Sequence, residues 1–383
     1  MHLHFFKKSI IALVQKLAVK RAVSRVIEKD AKDGSIGRFY TNKFEILLSE
    51  RLNNISTLGT ASGTDALILA LKALKIGAGD EVIVPAFSCI PPASSISWVG
   101  ATPIFVDIRD DDYAIDPAMV EKKISSKTKA IIVAHLFGQP TGRIKRILDI
   151  ARQRRLFVIE DAAQSFGAKV EIDGKWSEAG TIGDIGCLSF SSTKIFAAPG
   201  NAGAVIVKDP YLVEEIDRMR LFGTRTRYYD YPTVGISAKI QEIHAAILLA
   251  KLPFFNYWLE HRRKLAFYYK ELLYNIGDII LPQNKEKTER VWYRFVIRTQ
   301  KRDELFKYLR TSLRKKPHLK PMIHYPVPLP YFSAFKTGYK RGNFPVSDQI
   351  SSEMISLPLN NSMSKGDTEF VCQTIKAFFN TFK

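Results

Sequence analysis

Between about residues 60 and 210, short apolar runs rich in β-branched residues alternate with stretches of helical periodicity, which restricts the fold more than any other feature of the chain. The runs cover 81–84, 103–108, 130–134, 156–160, 187–190 and 203–207. Helical patterns fall between several of them, at 65–75 (Leu67, Leu71 and Leu74 on one face), 120–124 and 143–154. Strands so short and so continuously apolar are buried on both faces. With helices as crossovers, they predict an α/β fold whose mostly parallel sheet is sandwiched by helices. Ligands of such sheets bind beyond the carboxyl ends of the strands.

After residue 235 the texture changes. A long helical pattern spans 240–274, with Pro253 as a kink, because proline removes a helix donor. A strand at 291–298, a basic helix near 302–315, a proline-rich stretch at 317–330 and a helix at 368–379 follow. These features predict three parts: a basic amphipathic segment over 1–30, a large domain over 31–250 and a smaller α+β domain over 251–383.

Charge and cysteine usage narrow the function. The 383 residues carry 57 Lys+Arg against 38 Asp+Glu, a formal charge of +19. The excess is concentrated at 1–30 (net +5) and 301–320 (net +6). A charge this large suits nucleic acid, an anionic membrane surface or an acidic substrate. Without zinc-finger spacing, an aromatic RNA-binding strand or basic heptads, nucleic acid is the disfavoured partner. Cys89, Cys187 and Cys372 form no C-x-x-C pair, so no metal site is expected, and a reducing, cytoplasmic compartment is the simplest reading.

In the N-terminal segment, Phe6, Ile10, Leu13, Val14 and Leu17 share a helical face among lysines. The uncharged stretch 9–15 is far shorter than the roughly 20 residues that span a bilayer. The expectation is a helix packed on its own domain or on a second subunit, with peripheral membrane contact through residues 1–25 as the alternative.

Three motifs carry candidate chemistry. Ala61-Ser62-Gly63-Thr64-Asp65-Ala66-Leu67 opens the first strong helix, where Thr64 can cap the helix or donate a hydroxyl and the free amides of Gly63, Thr64 and Asp65 can hold an anion. Phe157-Val158-Ile159-Glu160-Asp161-Ala162-Ala163-Gln164 ends a strand on an acidic pair; Asp161 either caps the next turn or awaits a cationic ring nitrogen. Cys187-Leu188-Ser189-Phe190-Ser191-Ser192-Thr193-Lys194 puts a lysine in a small, hydroxyl-rich loop, with Ala198-Pro199-Gly200-Asn201-Ala202-Gly203 behind it.

In this order the motifs resemble the fold-type I pyridoxal phosphate enzymes, specifically the DegT-type sugar aminotransferases, from about Lys43 to Phe379. Segments 79–85, 100–107, 135–140 and 356–359 support the likeness. The resemblance implies that Lys194 is the Schiff-base lysine and that Asp161 faces the pyridine nitrogen of pyridoxal 5'-phosphate. It further implies that Gln164 lies beside the ring hydroxyl, and that Gly63, Thr64, Asp65 and Ser189 cradle the phosphate. His324 and Tyr325, in His324-Tyr325-Pro326-Val327-Pro328, match the substrate mouth.

Three positions depart from the family pattern. Cys89 stands where most members stack an aromatic residue on the cofactor ring, and sulfur offers less stacking area. Ser237 replaces an asparagine that reaches the cofactor phosphate of the neighbouring subunit. Lys239 replaces an arginine and lacks its bidentate fork.

The implied reaction moves an amino group from glutamate or glutamine to a keto-sugar, usually nucleotide-linked. Its setting would be a cytoplasmic homodimer making amino sugars for a surface polysaccharide or glycolipid. The related dehydratases are disfavoured because they carry histidine where Lys194 stands. A non-catalytic, regulatory member that binds a partner or membrane through its basic surface is the remaining alternative.

Overall fold

The computed structural model describes residues 2–33, 38–224, 229–283, 287–335 and 338–381; in the first helix, the described side chains are those of residues 11–28. The main sheet is built from β1 (Ser56–Thr60), β2 (Glu81–Pro85), β3 (Thr102–Val106), β4 (Thr128–Ala134) and β5 (Phe157–Asp161). A hairpin, β6 (Lys169–Ile172) and β7 (Lys175–Glu178), precedes its last strands, β8 (Ile185–Ser189) and β9 (Gly203–Val207). The order across the seven strands is β1-β9-β8-β5-β4-β2-β3, and only β9 runs against its neighbours. The six predicted strands are all present.

The sequence reading missed β1 and the hairpin. β1 follows polar Asn53 and Asn54, begins on Ser56 and carries only one large apolar residue, Leu58, so it has no strand-like pattern of its own. The hairpin did carry a signal. Asp173-Gly174 joins β6 to β7 with φ of 49° and 78°, the doubly positive turn that matches strand twist.

Helices cover both faces of the sheet. Leu67, Leu71 and Leu74 sit in one buried cluster with Val82, Val84 and Ile132, whereas Ile83, Ile131 and Val133 face Ile144, Ile147 and Ile150 across the other. The long pattern at 240–274 resolves into helices Glu242–Lys251 and Phe255–Leu273, broken by a 3-10 turn over Leu252–Phe254 at Pro253.

Beyond this point, β10 (Thr288–Glu289) pairs with β6, and β11 (Phe295–Arg298) pairs with β12 (Met354–Leu357). The strand predicted over 291–298 is therefore shorter, and Val291 to Arg294 form a connecting stretch instead. Tyr269, Phe295, Leu309, Leu357 and Ile375 form a core of their own. Leu329 and Phe344 instead join the cluster on the main sheet.

The first helix, His2–Asp33, docks on the helix Glu242–Lys251. Its docking face is not the expected one. Val19, Val23 and Val26 face the body, whereas Leu13, Val14 and Leu17 are 57%, 49% and 45% exposed. The side chains of Phe6 and Ile10 lie outside the described residues. The helix carries two apolar stripes, and periodicity alone does not say which of them a neighbouring element will cover. Among the described residues, no helix is long and apolar enough to cross a membrane.

Candidate active site

Three strand ends converge on one cavity. β1 leads into Ser62, whose Oγ accepts the Asp65 amide at 3.0 Å and donates to Asp65 Oδ2 at 2.7 Å, starting the helix Gly63–Ala73. A Cβ on Gly63 would stand 2.8 Å from the Ser189 Cβ, so glycine is what lets the helix start approach β8 this closely. β5 ends on Asp161, buried, with Oδ1 accepting the Ala163 amide at 3.0 Å. β8 ends on Ser189. Beyond it, the Lys194 amide bonds Ser191 O at 2.9 Å and Ser192 bonds Gly200 at 3.0 Å, which fixes the lysine loop through its backbone.

The resulting cavity has a volume of about 280 Å3. Lys194, Asp161, Gln164 and Ser189 line it from the strand ends; Gly63 and Thr64 line it from the helix start, and Cys89 and Tyr325 from loops. Eight of the twelve residues singled out from the sequence thus meet at one place.

The other four stand apart. Asp65 is engaged in capping by Ser62. His324 lies behind Tyr325, its Nδ1 2.9 Å from Ser356 Oγ. Ser237 is exposed, in a bridge with Leu221, and Lys239 sits in a bridge with Thr60. Neither Ser237 nor Lys239 lines the cavity of its own chain.

Electrostatics follow from burial. Burial pushes the Asp161 carboxyl above its ordinary range, while the Ala163 amide, Lys194 and His135 pull it back. Its neighbour Glu160 points the opposite way along the strand. Burial alone would raise Glu160, but His135 at 2.8 Å and the amides of Gly180 and Gly183 hold it below the ordinary value. The adjacent acids therefore divide: Glu160 is spent on structure and Asp161 is left to the cavity.

Burial and the Asp161 charge push the Cys89 thiol up to about 11, so it is a neutral, polarizable surface. Phe87 does not replace an aromatic at Cys89: it is fully buried, edge-on to Tyr325 at 5.8 Å. Gln164 is locked at both ends of its amide, with Oε1 accepting Phe137 N at 2.9 Å and Nε2 donating to Tyr325 Oη at 3.0 Å. Burial, with the Arg294 and Lys194 charges, pushes His324 down to about 4.

Tyr293 also lines the cavity and was not foreseen. Lys194 Nζ stands 5.0 Å from its ring centroid and Arg294 Cζ 4.7 Å, while Arg294 Nη2 donates to Tyr293 Oη at 3.3 Å. Burial alone would raise the Tyr293 phenol, yet these two cations bring it below its ordinary value. An aromatic residue in a connecting stretch carries no local signal of this role, because its neighbour Lys194 is 99 positions away. Phe166, Phe196 and Phe255 pack behind the lysine loop.

These residues fit pyridoxal phosphate. The cradle at Gly63 has room for no side chain, the free amides of a helix start favour an anion, and a buried carboxylate and a lysine share the cavity. Among the described residues, no cluster of His, Cys, Asp or Glu could hold a metal.

Comparison with known proteins agrees with this chemistry. Residues 20–376 match the DegT/DnrJ/EryC1/StrS aminotransferase family. A pleiotropic regulatory protein of Geobacillus stearothermophilus is 36% identical over 90% of both chains. A dTDP-3-amino-3,6-dideoxy-alpha-D-galactopyranose transaminase of Aneurinibacillus thermoaerophilus is 37% identical over 84% of this chain and 85% of its own. The structure of S. venezuelae DesV in complex with a ketimine intermediate superposes with a TM-score of 0.88, at 30% identity and 97% coverage of each chain.

Proposed function

The chain belongs to the DegT/DnrJ/EryC1/StrS aminotransferase family, and from that premise we propose that it transfers the amino group of glutamate or glutamine to a nucleotide-linked keto-sugar. It is a pyridoxal phosphate-dependent sugar aminotransferase of fold type I. The observation that carries the reading is the meeting of Lys194, Asp161 and the Gly63 helix start in one cavity. The name of the dTDP-sugar transaminase relative supports a nucleotide-linked acceptor. The regulatory alternative has no residue in its favour, since Lys194 and Asp161 are both in place.

When bound, pyridoxal phosphate supplies an aldehyde that exchanges amino groups and a ring that withdraws electrons from the bond being broken. Each residue then has a defined task. Lys194 would hold the aldehyde carbon and carry the proton between carbon atoms of the reaction, as a positioned base does. Asp161, raised by burial but partly pulled back by the Ala163 amide and Lys194, would pair with the ring nitrogen and keep it protonated. Gly63, Thr64 and Ser189 would hold the phosphate through amides and hydroxyls. Gln164 cannot swing, because both ends of its amide are bonded. Tyr325 would form the sugar side, with neutral His324 held on Ser356 behind it.

Ser237 and Lys239 would serve the cavity of a second copy, which supports a homodimer with shared sites. We take 31–250 and 251–383 as the two domains because β11, β12 and their helices share a core of their own, although Phe255, Trp258, Val291 and Tyr293 pack with the large domain. A surface polysaccharide or glycolipid precursor made in the cytoplasm is the product class we favour. The exposed face of Leu13, Val14 and Leu17, beside Lys16 and Lys20, would meet the second subunit or an anionic membrane.

Visible absorbance of the purified protein with pyridoxal phosphate, before and after glutamate or glutamine, tests the reading. The expected result is a cofactor band that one donor bleaches and a keto-sugar restores. A band that no amino acid changes would overturn it.

A further inference from the structure

The first helix holds the body along one stripe and leaves a second stripe bare. Val19, Val23 and Val26 face the body. Over 12–17, by contrast, five of the six side chains are exposed and only Gln15 is partly covered. At about 3.6 residues per turn, Leu13, Val14 and Leu17 lie on the side turned away from the three valines. Lys16 and Lys20 lie toward one side of these residues, Arg21 and Arg25 toward the other, and all four cations are exposed. None of the four forms an ion pair among the described residues. Glu28, the one carboxylate among the described side chains of this helix, accepts Ser24 Oγ at 2.7 Å.

An occupant of this face must meet apolar side chains together with four cations set against one carboxylate. A second copy fits poorly. The two-fold contact usual in dimers brings a patch against itself, so cations would face cations. Three apolar side chains also fall far short of the roughly 800 Å2 per partner of a stable interface. The homodimer proposed above draws on Ser237 and Lys239 and needs nothing from this helix. Nucleic acid would engage the cations and leave the leucines in water. An anionic lipid surface takes both, because apolar side chains enter the boundary between headgroups and acyl chains while Lys and Arg stay at the phosphates.

We propose that residues 12–25 of the first helix dock the enzyme on an anionic phospholipid surface, with Leu13, Val14 and Leu17 inserted and Lys16, Lys20, Arg21 and Arg25 on the headgroups. The helix lies along the surface while its body-facing valines hold the rest of the chain above it, an arrangement that needs no spanning segment. Three apolar residues insert weakly on their own, so the attraction of the cations is required, and the contact is reversible and salt-sensitive. Docking rests on this face and not on the aminotransferase chemistry, so its failure would leave the reading of the cavity intact.

The test follows cosedimentation of the full-length holoenzyme with phosphatidylcholine vesicles, with and without phosphatidylglycerol. Binding should require phosphatidylglycerol and weaken as salt is raised. Lys20→Gln with Arg21→Gln should lower affinity for the mixed vesicles roughly tenfold or more, the scale of two cations lost from an anionic surface. Leu13→Ser with Leu17→Ser should lower it at least as far, at unchanged charge. Transamination measured without vesicles should be the same in both double variants as in the unaltered protein, which shows that each is folded. No binding by the unaltered protein, or binding that survives the loss of both leucines, would overturn the proposal. If the leucine pair instead changes the oligomeric state in light scattering and vesicles are ignored, a second copy covers the face and the proposal fails equally.

Discussion

The two walls of the cofactor cavity are held by different forces. One wall, made of β5, β8 and the Gly63 helix start, is fixed by backbone: Asp161 is the last residue of a strand paired on both sides, and the Lys194 loop closes on its own main-chain bonds. The other wall, made of Tyr293, Tyr325 and Cys89, stands on side chains. Tyr325 stacks on Phe137 at 6.3 Å and takes one bond from Gln164, and Tyr293 is held between Lys194 and Arg294. A backbone wall places reacting groups with little tolerance for error, whereas a side-chain wall can be re-tuned without moving the sheet. Substitutions should therefore split the same way, with all-or-none losses on the first wall and graded ones on the second.

The largest effects test the first wall. Lys194→Ala should abolish transamination and the cofactor band while the melting curve stays cooperative; residual turnover at the normal rate would break the contrast. Asp161→Asn should lower kcat by roughly two orders of magnitude or more, the scale of losing a fixed charge that acts on the reacting system. Activity close to that of the unaltered enzyme would show that Asp161 only caps its turn.

The second wall should respond by degrees. Tyr293→Phe keeps the ring beneath Lys194 and loses the phenol, whereas Tyr293→Leu loses both. A cation–π contact of about 1 kcal/mol corresponds to a several-fold change, so the leucine variant should be the slower of the two by roughly that factor. The pH midpoint of the cofactor band should move in Tyr293→Leu and hold in Tyr293→Phe. Identical shifts in both would assign the effect to the phenol instead.

The same division explains what the sequence disclosed. Asp161, Gln164, Ser189 and Lys194 sit in contiguous motifs at strand ends, so their neighbours in sequence are also their neighbours in space. Tyr293 reaches the cavity from beyond helix Phe255–Leu273, far along the chain from the strand-end motifs, a long-range placement with no local pattern. Cys89 was legible as a departure, but Phe87, the nearest aromatic in sequence, turns into the core behind Tyr325. The β6–β7 hairpin was the opposite case, since Asp173-Gly174 stood in plain view.

His324 supplies a pH test of the side-chain wall. Its folded value, pushed down to about 4, lies below the ordinary value of 6.5, so between these limits the unfolded chain binds the proton and the folded chain does not. Stability should thus fall as pH drops through that window, by at most about 1.4 kcal/mol per pH unit. His324→Gln should flatten the slope between pH 5 and 6.5, where most carboxylates are still ionised. An unchanged slope in calorimetric melts would mean that the ring is already accessible to protons when folded.

The smallest effect isolates the helix start. Ser62 and Ser364 cap through the same side-chain pair: each accepts an amide from an aspartate three residues on and donates to that carboxylate, and Ser364 N bonds its aspartate as well. Removing either hydroxyl leaves a helix amide without its partner, at about 1 kcal/mol of stability. Ser62→Ala and Ser364→Ala should therefore lower the melting temperature alike. Only Ser62 borders the cavity, while Ser364 caps the C-terminal helix Lys365–Asn380. With its cap lost, the first turn of the Gly63 helix frays, and its amides no longer point together at an anion. Pyridoxal phosphate affinity should drop several-fold in Ser62→Ala, on the order of 1 kcal/mol, and stay constant in Ser364→Ala. Equal cofactor affinity in the two variants would show that the phosphate rests on Ser189 and the partner subunit rather than on the helix start.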